Sequence, residues 1–171
     1  LAVPVGRVQR QVEELLDQVS AAVRPVAARR YGSDQRAEGL SGGNLSGADL
    51  SGADLPGAEL PCPNLSEANL AGTNLTGANL TGARFESAEM EGANFIRADA
   101  HGASFNNASL MGVNFTGAKL ERASFRNADL QGVVFTGGAM TGADFKDADL
   151  EHAMLGGADL SPSPPPPPPP S

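Results

Sequence analysis

The amino-acid sequence is poor in the residues that form most compact cores and most active sites. Its 171 residues include no Trp, one Tyr, one Cys and two His. The single Cys62 has no partner within the chain, so no disulfide framework can hold the fold together. Because Cys62 lies between Pro61 and Pro63, we expect an exposed thiol on a turn rather than a reactive one.

Two further absences restrict what the chain binds. No apolar run approaches the roughly 18 residues that span a membrane, and no apolar core of a signal peptide occurs. Lys and Arg total 12 against 20 Asp and Glu, which gives a formal net charge of −8. Because phosphate binding requires a basic surface, this balance disfavours nucleic acid as a direct partner.

The chain has instead a strict period of five residues. From Leu40 to Leu160 every fifth residue is Leu, Phe or Met, except Ala100, and 25 consecutive pentads run without an insertion or deletion. Ala usually stands two residues before the large residue, and Gly stands two residues after it in 15 of the 25 pentads. Neither the helix period of 3.6 nor the strand period of 2 gives this spacing. The pattern therefore indicates a repeat architecture.

The consensus, Ala-Asp/Asn-Leu/Phe-x-Gly, resembles that of the pentapeptide-repeat family over roughly residues 38–162. The resemblance implies an all-β solenoid, a right-handed quadrilateral β-helix in which each pentad forms one side and four pentads form a coil. It also implies that the Ala and the large central residue point inward while the other three positions point outward. About six coils are expected.

The spacing of the aromatic residues agrees with a coil of twenty residues, because residues 20 apart would then lie directly above one another. The seven Phe fall into two such columns on opposite sides of the square. One column is Phe85, Phe105, Phe125 and Phe145, and the other is Phe95, Phe115 and Phe135.

The remaining positions fit tight corners and stacked outer columns. Gly suits a corner that requires positive φ. Where Gly is absent its replacements include Asn107, Asn127 and Asp147, residue types that tolerate this region. A further outer column, for which the stacking predicts an amide ladder, consists of Asn74, Asn94 and Asn114.

Two segments of different character flank the repeats, which divides the chain into residues 1–37, 38–162 and 163–171. The first carries apolar residues at helical spacing and predicts a short amphipathic α-helix, either a cap on the solenoid or a partner-binding helix. The run 164–170 is all proline and predicts a polyproline II rod of roughly 22 Å that acts as a spacer. The apolar residues of the predicted helix are Val8, Val12, Leu15, Leu16, Val19 and Val23.

No catalytic or metal-binding constellation is present in the sequence. His101 and His152 lie ten pentads apart and therefore on opposite sides of the predicted rod, with no cysteine near either. The glycines are corners rather than a phosphate-binding loop. We therefore predict no enzyme activity, no cofactor and no metal.

Charge is distributed unevenly over the four predicted sides, with formal totals of about −3, −1, −6 and 0. The −6 side has no Lys or Arg, and we predict that its carboxylates form a partner-binding surface. The alternative is that they only keep the rod soluble and its edges unpaired. The carboxylates are Asp49, Glu89, Glu91, Asp129, Asp149 and Glu151.

Two functions follow from these features. The first is a non-catalytic scaffold that presents a rigid rod surface to a protein partner. The second is implied by the resemblance, because some members of the family mimic duplex DNA and bind DNA gyrase, which protects it against quinolones. This chain departs from those members in its shorter run, the absence of a projecting loop, and the added helix and proline tail.

The sequence also predicts how the chain associates and where it works. A homodimer through the C-terminal coil or the N-terminal helix is expected, because the last coil has no cap after it. The expected compartment is the bacterial cytoplasm, and the resemblance offers the plastid lumen as the alternative. Neither nucleic acid nor membrane is an expected partner.

Overall fold

The computed structural model describes residues 44–60 and 62–163, and the pentads in this part share one backbone pattern except around Cys62 and at 161–163. An isolated parallel bridge residue is followed by the large central residue and then by a two-residue turn. The bridges join residues 20 apart, from Asn44 with Asn64 to Ala139 with Asp159. Four pentads therefore make one coil, and the predicted solenoid is confirmed. These described residues contain no helix, and their β-structure consists of single-residue bridges rather than longer strands.

Several sequence predictions lie outside the described residues or are not tested by them. The N-terminal helix in 1–37 and the polyproline run 164–170 both fall outside. The handedness of the solenoid and the number of coils over 38–162 stay predictions.

The four sides are numbered here in chain order. Side 1 has the central residues Leu45, Leu65, Phe85, Phe105, Phe125 and Phe145. Side 2 begins at Leu50, side 3 at Leu55 and side 4 at Leu60, each repeating every 20 residues.

Three backbone hydrogen bonds on each side join consecutive coils. On side 2, the N–H of Leu50 donates to the Asn69 carbonyl (2.8 Å) and the N–H of Gly52 donates to the Ala71 carbonyl (2.8 Å). The N–H of Asn69 donates in the opposite direction, to the Ala48 carbonyl (2.9 Å). Each turn is closed by a further bond, from the N–H of the next Ala to the carbonyl of the central residue. The backbone thereby satisfies its polar groups without long strands.

The interior is filled by the central residues and by the alanines, which are buried along most of the rod. The rings of Phe85 and Phe105 stack with centroids 4.8 Å apart and planes within 4°. The two aromatic columns also meet across the interior, where Phe85 and Phe95 pack edge to face at 5.9 Å and 78°. Offset-stacked and edge-to-face packing are the arrangements that aromatic pairs favour. The predicted inward columns are confirmed, and Phe145, nearest the C-terminal end of the columns, is half-buried.

The corners from Gly47 to Gly157 all have positive φ, as predicted for Gly and for its replacements. Asn107, Asn127 and Asp147 have φ between 55° and 60°. Arg97 (φ 55°) and Arg122 (φ 59°) adopt the same conformation, which residue preference does not predict. The coil imposes this positive φ on both Arg residues, because the N–H of each corner residue must donate to a carbonyl of the next coil toward the C-terminus. The Arg97 N–H, for example, donates to the Thr116 carbonyl at 3.0 Å.

The predicted amide ladder is wrong. Each side-chain oxygen of Asn74, Asn94 and Asn114 accepts the backbone N–H two residues ahead in its own turn, at 3.0–3.1 Å. The Asn74 amide nitrogen donates to Asp54 (2.7 Å) instead of to a neighbouring Asn. Among residues 44–60 and 62–163, no side-chain hydrogen bond links Asn94 to Asn74 or Asn114.

Candidate functional site: an acidic side of the rod

Side 2 collects the six carboxylates predicted to bind a partner, and we call it the acidic side. One bridge column runs along it from Asp49 to Asp149 and includes Glu89 and Asp129. The other two carboxylates, Glu91 and Glu151, lie two residues further along the chain, in the neighbouring column of the same side. Five of the six side chains are exposed and Asp129 is half-buried. The coil therefore brings together residues that are up to 102 positions apart in the sequence.

Hydrogen bonds within the turns hold the end carboxylates in place. Asp49 accepts the hydroxyl (2.7 Å) and the backbone N–H (3.1 Å) of Ser51, and these bonds hold its pKa below the usual range. Asp149 accepts the backbone N–H of Glu151 (3.0 Å) and the side-chain amide of Gln131 (2.7 Å), and its pKa is lowered for the same reason. Because donors stabilise the ionised form, both groups stay charged in mild acid.

Two hydrogen bonds, one between coils and one within a turn, also orient the centre of the side. The Ser109 hydroxyl donates to Glu91 from the coil below. Asp129 accepts the backbone N–H of Gln131 at 3.1 Å. Four of the six carboxylates are thus restrained by neutral neighbours on a regular backbone, namely Asp49, Glu91, Asp129 and Asp149.

The acidic side has no Lys or Arg within its described pentads, and its one basic side chain there is His152. The His152 Nε2 lies 3.3 Å from a Glu151 oxygen, and both side chains are well exposed. Sequence reasoning excluded His152 from a catalytic or metal-binding group and did not predict this pairing. Position counting places His152 at a corner of side 2, but the pairing itself depends on side-chain rotamers.

Sides 1 and 4 carry charges of both signs and pair some of them. Lys119 and Asp99 form an ion pair on side 4 at 3.0 Å, and Arg126 and Asp144 form one on side 1 at 2.5 Å. Such exposed pairs contribute little stability. Their effect on recognition is that sides 1 and 4 offer a partner less net charge than side 2.

Other candidate chemistry is sparse. Cys62 is exposed at a corner with φ 56°, as expected for a turn thiol. Within 44–60 and 62–163, no group of three or more His, Cys, Asp or Glu side chains is arranged to hold a metal ion. The same stretches include no helix with the length and apolarity required to cross a membrane.

Comparison with known proteins defines the class of this chain. Two family models described as pentapeptide repeats match it, one over residues 40–61, 64–99 and 88–127 and the other over 120–163. These matches cover more than half of the sequence, and the chain belongs to the pentapeptide-repeat family. It is a repeat scaffold, and proteins of this family generally serve as structural or interaction scaffolds.

Several solved structures are similar to the chain. A pentapeptide repeat protein, Rfr23, from the cyanobacterium Cyanothece 51142 is 24% identical, with 68% of this chain and 87% of that one covered and a TM-score of 0.43. QnrB1, a plasmid-mediated fluoroquinolone resistance protein, is 23% identical over 69% and 72% of the two chains, with a TM-score of 0.38. A pentapeptide repeat protein from the Arabidopsis thaliana thylakoid lumen is 31% identical over 71% and 74%, with a TM-score of 0.30. No curated protein is a significant match.

Proposed function

We propose that this chain is a non-catalytic scaffold whose acidic side binds a basic surface on a protein partner. The observation that carries the proposal is the segregation of charge, with six carboxylates and no Lys or Arg on one side of the rod. Surfaces of one sign steer complementary partners and suppress the wrong ones.

The rigidity of the rod supports the same proposal. With coils about 4.8 Å apart, the carboxylates from Asp49 to Asp149 extend over roughly 24 Å. The hydrogen bonds to Asp49, Asp129 and Asp149 fix these groups before binding. A preorganised surface loses little conformational entropy when a partner docks, so modest contacts suffice.

The second candidate is a DNA mimic that binds DNA gyrase through the acidic side. The observation that favours it is that the carboxylates lie in two parallel columns along the rod axis, as the phosphates of a duplex follow its length. A basic channel built for DNA would accept such a rod. The partner would still be a protein, and no direct contact with nucleic acid is required.

The decisive experiment reverses charge on the acidic side and leaves the interior untouched. A variant with Glu89, Glu91, Asp149 and Glu151 changed to Lys has a formal net charge of 0 instead of −8. We expect it to melt near the temperature of the parent, since all four side chains are exposed, and to lose the partners that the parent captures from a bacterial lysate. A supercoiling assay with purified gyrase separates the two candidates, because only the mimic inhibits or protects the enzyme.

A matched control places the same charge change on the other sides. Changing Asp54, Glu59, Glu67 and Asp147 to Lys also brings the formal net charge to 0, yet leaves the acidic side intact. Binding should survive in this control. Equal loss of binding in both variants would show that total charge matters and that the acidic side is only a solubilising surface.

A further inference from the structure

The acidic side is too narrow to form a stable interface by itself. Its carboxylates extend over roughly 24 Å along the rod, and the three extended residues of a pentad span roughly 10 Å across it. The resulting area of roughly 240 Å² is well below the roughly 800 Å² that each partner buries in a standard interface. A partner that binds stably must therefore cross a corner of the rod and contact side 1 or side 3 as well.

The corner between sides 2 and 3 is open, whereas the corner between sides 1 and 2 carries side chains. Five stacked glycines form the first corner, with φ of 65–66°, and no atom beyond the adjacent residues lies within 4 Å of the point that a Cβ would occupy. In the second corner five of the six positions are not Gly. A partner can therefore approach the backbone more closely at the first corner, which we call the glycine corner. It consists of Gly52, Gly72, Gly92, Gly112 and Gly132, whereas the other corner carries Glu67, Ser87, Asn107, Asn127 and Asp147.

Two exposed methionines flank the glycine corner. Met111, 46% exposed, lies in the column of side 2 next to the corner, and Met154, 59% exposed, lies in the bridge column of side 3 on its other flank. Val134 is half-buried and forms a bridge with Met154. The three residues belong to consecutive coils, so the register places them within roughly 10 Å along the rod axis. Apolar side chains surrounded by polar ones are typical of the centre of a binding surface, where methionine is enriched.

Carboxylates border this apolar patch in the column that contains Met111. Glu91 lies one coil before Met111 and Glu151 lies two coils after it, and both carboxylates are exposed. The two columns that flank the glycine corner contain no Lys or Arg at their described positions. Charge complementarity therefore favours a partner with an apolar side chain between basic ones.

An α-helix supplies side chains at the required spacing. One helical turn rises about 5.4 Å, close to the distance of about 4.8 Å between coils. Side chains one turn apart on a helix that lies along the corner would therefore meet residues one coil apart on the rod.

We propose that the partner of the acidic side binds through a basic amphipathic helix that lies along the glycine corner. Its apolar face contacts Met111, Val134 and Met154, and its Lys or Arg residues contact Glu91 and Glu151. This inference rests on the proposed function, because it takes the acidic side to be the surface that binds a protein.

Two synthetic peptides of equal charge test the proposal on the full chain. One is an amphipathic helix of Leu and Lys, and in the other each Leu is replaced by Ala. We expect the Leu–Lys peptide to bind about tenfold more tightly, as for loss of apolar anchors at an interface. In NMR spectra of methyl-labelled methionine, the signals of Met111 and Met154 should shift, whereas the buried Met90 and Met140 serve as internal references.

Two variants locate the peptide on the rod. Gly112→Asn places a side chain in the glycine corner and should weaken binding of the Leu–Lys peptide about tenfold. The fold should survive, because Asn107 and Asn127 already occupy corners with positive φ. Gly102→Asn is the matched control, since Gly102 has the same φ of 66° but lies at the corner between sides 4 and 1. It should bind the peptide as the parent does.

Equal affinity for the two peptides, without a shift at Met111 or Met154, would overturn the proposal and leave the acidic side as a binding surface. Equal weakening by Gly112→Asn and Gly102→Asn would also overturn it. A different result would refute the proposed function together with this inference. That result is unchanged binding of the Leu–Lys peptide when Glu89, Glu91, Asp149 and Glu151 are all changed to Lys.

Discussion

Phe105 shows how single residues determine the strength of the interior. Its ring stacks between Phe85 and Phe125, with both centroids at 4.8 Å, and meets Phe95 and Phe115 edge to face at 6.2 and 5.6 Å. Phe145 contacts only two rings and is half-buried. The contribution of each Phe to the free energy of unfolding therefore depends on its position along the rod.

We predict that Phe105→Ala lowers the free energy of unfolding by about 3–5 kcal/mol, because it leaves a cavity between four rings. Phe145→Ala is the matched control and should cost clearly less, because its site is open on one side. Urea unfolding followed by circular dichroism measures both. A Phe105→Ala cost no larger than that of the control would contradict the stacked interior.

Within each pentad, the corner residue has the strained backbone conformation. Nine non-Gly corner residues have φ between 55° and 61°. An L-residue in this region costs roughly 1–2 kcal/mol relative to the right-handed region, whereas Gly adopts it without penalty. Each of these corners thus stores strain that the ladder of the rod overcomes.

We predict that Ser87→Gly stabilises the protein by about 1 kcal/mol. The change removes the strain at φ 57°, and this gain exceeds the loss in stability that comes from the greater entropy of Gly in the unfolded chain. The bond from the N–H of residue 87 to the Asn106 carbonyl, 3.0 Å, is retained. The reciprocal change, Gly92→Ser at φ 65°, should destabilise by a similar amount. Thermal melts of the two variants give the comparison, and shifts of the same sign would refute the explanation.

Backbone conformation within the pentad was the feature that the sequence predicted best. Gly, Asn and Asp corners could be predicted because their residue types favour positive φ. The corners at Glu67 and Arg97 could be predicted only from the five-residue repeat, because Glu and Arg have no preference for positive φ. The amide ladder failed for another reason, since the Asn74 amide donates to Asp54 and the sequence does not rank the alternative partners of an Asn side chain.

At the scale of the whole molecule, the period of 20 fixes which residues share a side. It was enough to predict the aromatic columns and the six carboxylates of the acidic side. It could not predict the pairing of His152 with Glu151 or the bond from Gln131 to Asp149, since these depend on side-chain rotamers. The residues that share the interior columns and the acidic side can therefore be predicted by counting along the repeat, but the contacts between individual side chains cannot.

We predict that deletion of residues 86–105, one whole coil, preserves the fold. The deletion joins Phe85 to Asn106, and every later residue keeps its side, as expected for a quasi-one-dimensional repeat. Deletion of only 101–105 moves each later pentad back by one side. Leu110 would then lie beneath Phe85, and the carboxylates from Asp129 onward would leave the acidic side.

Thermal unfolding separates the two deletions. The 20-residue deletion should melt at the higher temperature although it removes more of the chain, and it should keep partner binding apart from what Glu89 and Glu91 contribute. A five-residue deletion that is equally stable would show that the four sides are interchangeable, which contradicts a core specified by matched columns.

The backbone hydrogen bonds between coils are not divided equally between the two directions, so the rod has a net dipole along its axis. On every side two N–H groups point toward the C-terminal end for each one that points away, so the peptide dipoles add up along the length instead of cancelling. The C-terminal end then carries partial positive charge, in the opposite sense to an α-helix, and anions near it are stabilised. The last coil is where acidic residues are most frequent, with a single Lys146 beside Asp144, Asp147, Asp149, Glu151 and Asp159.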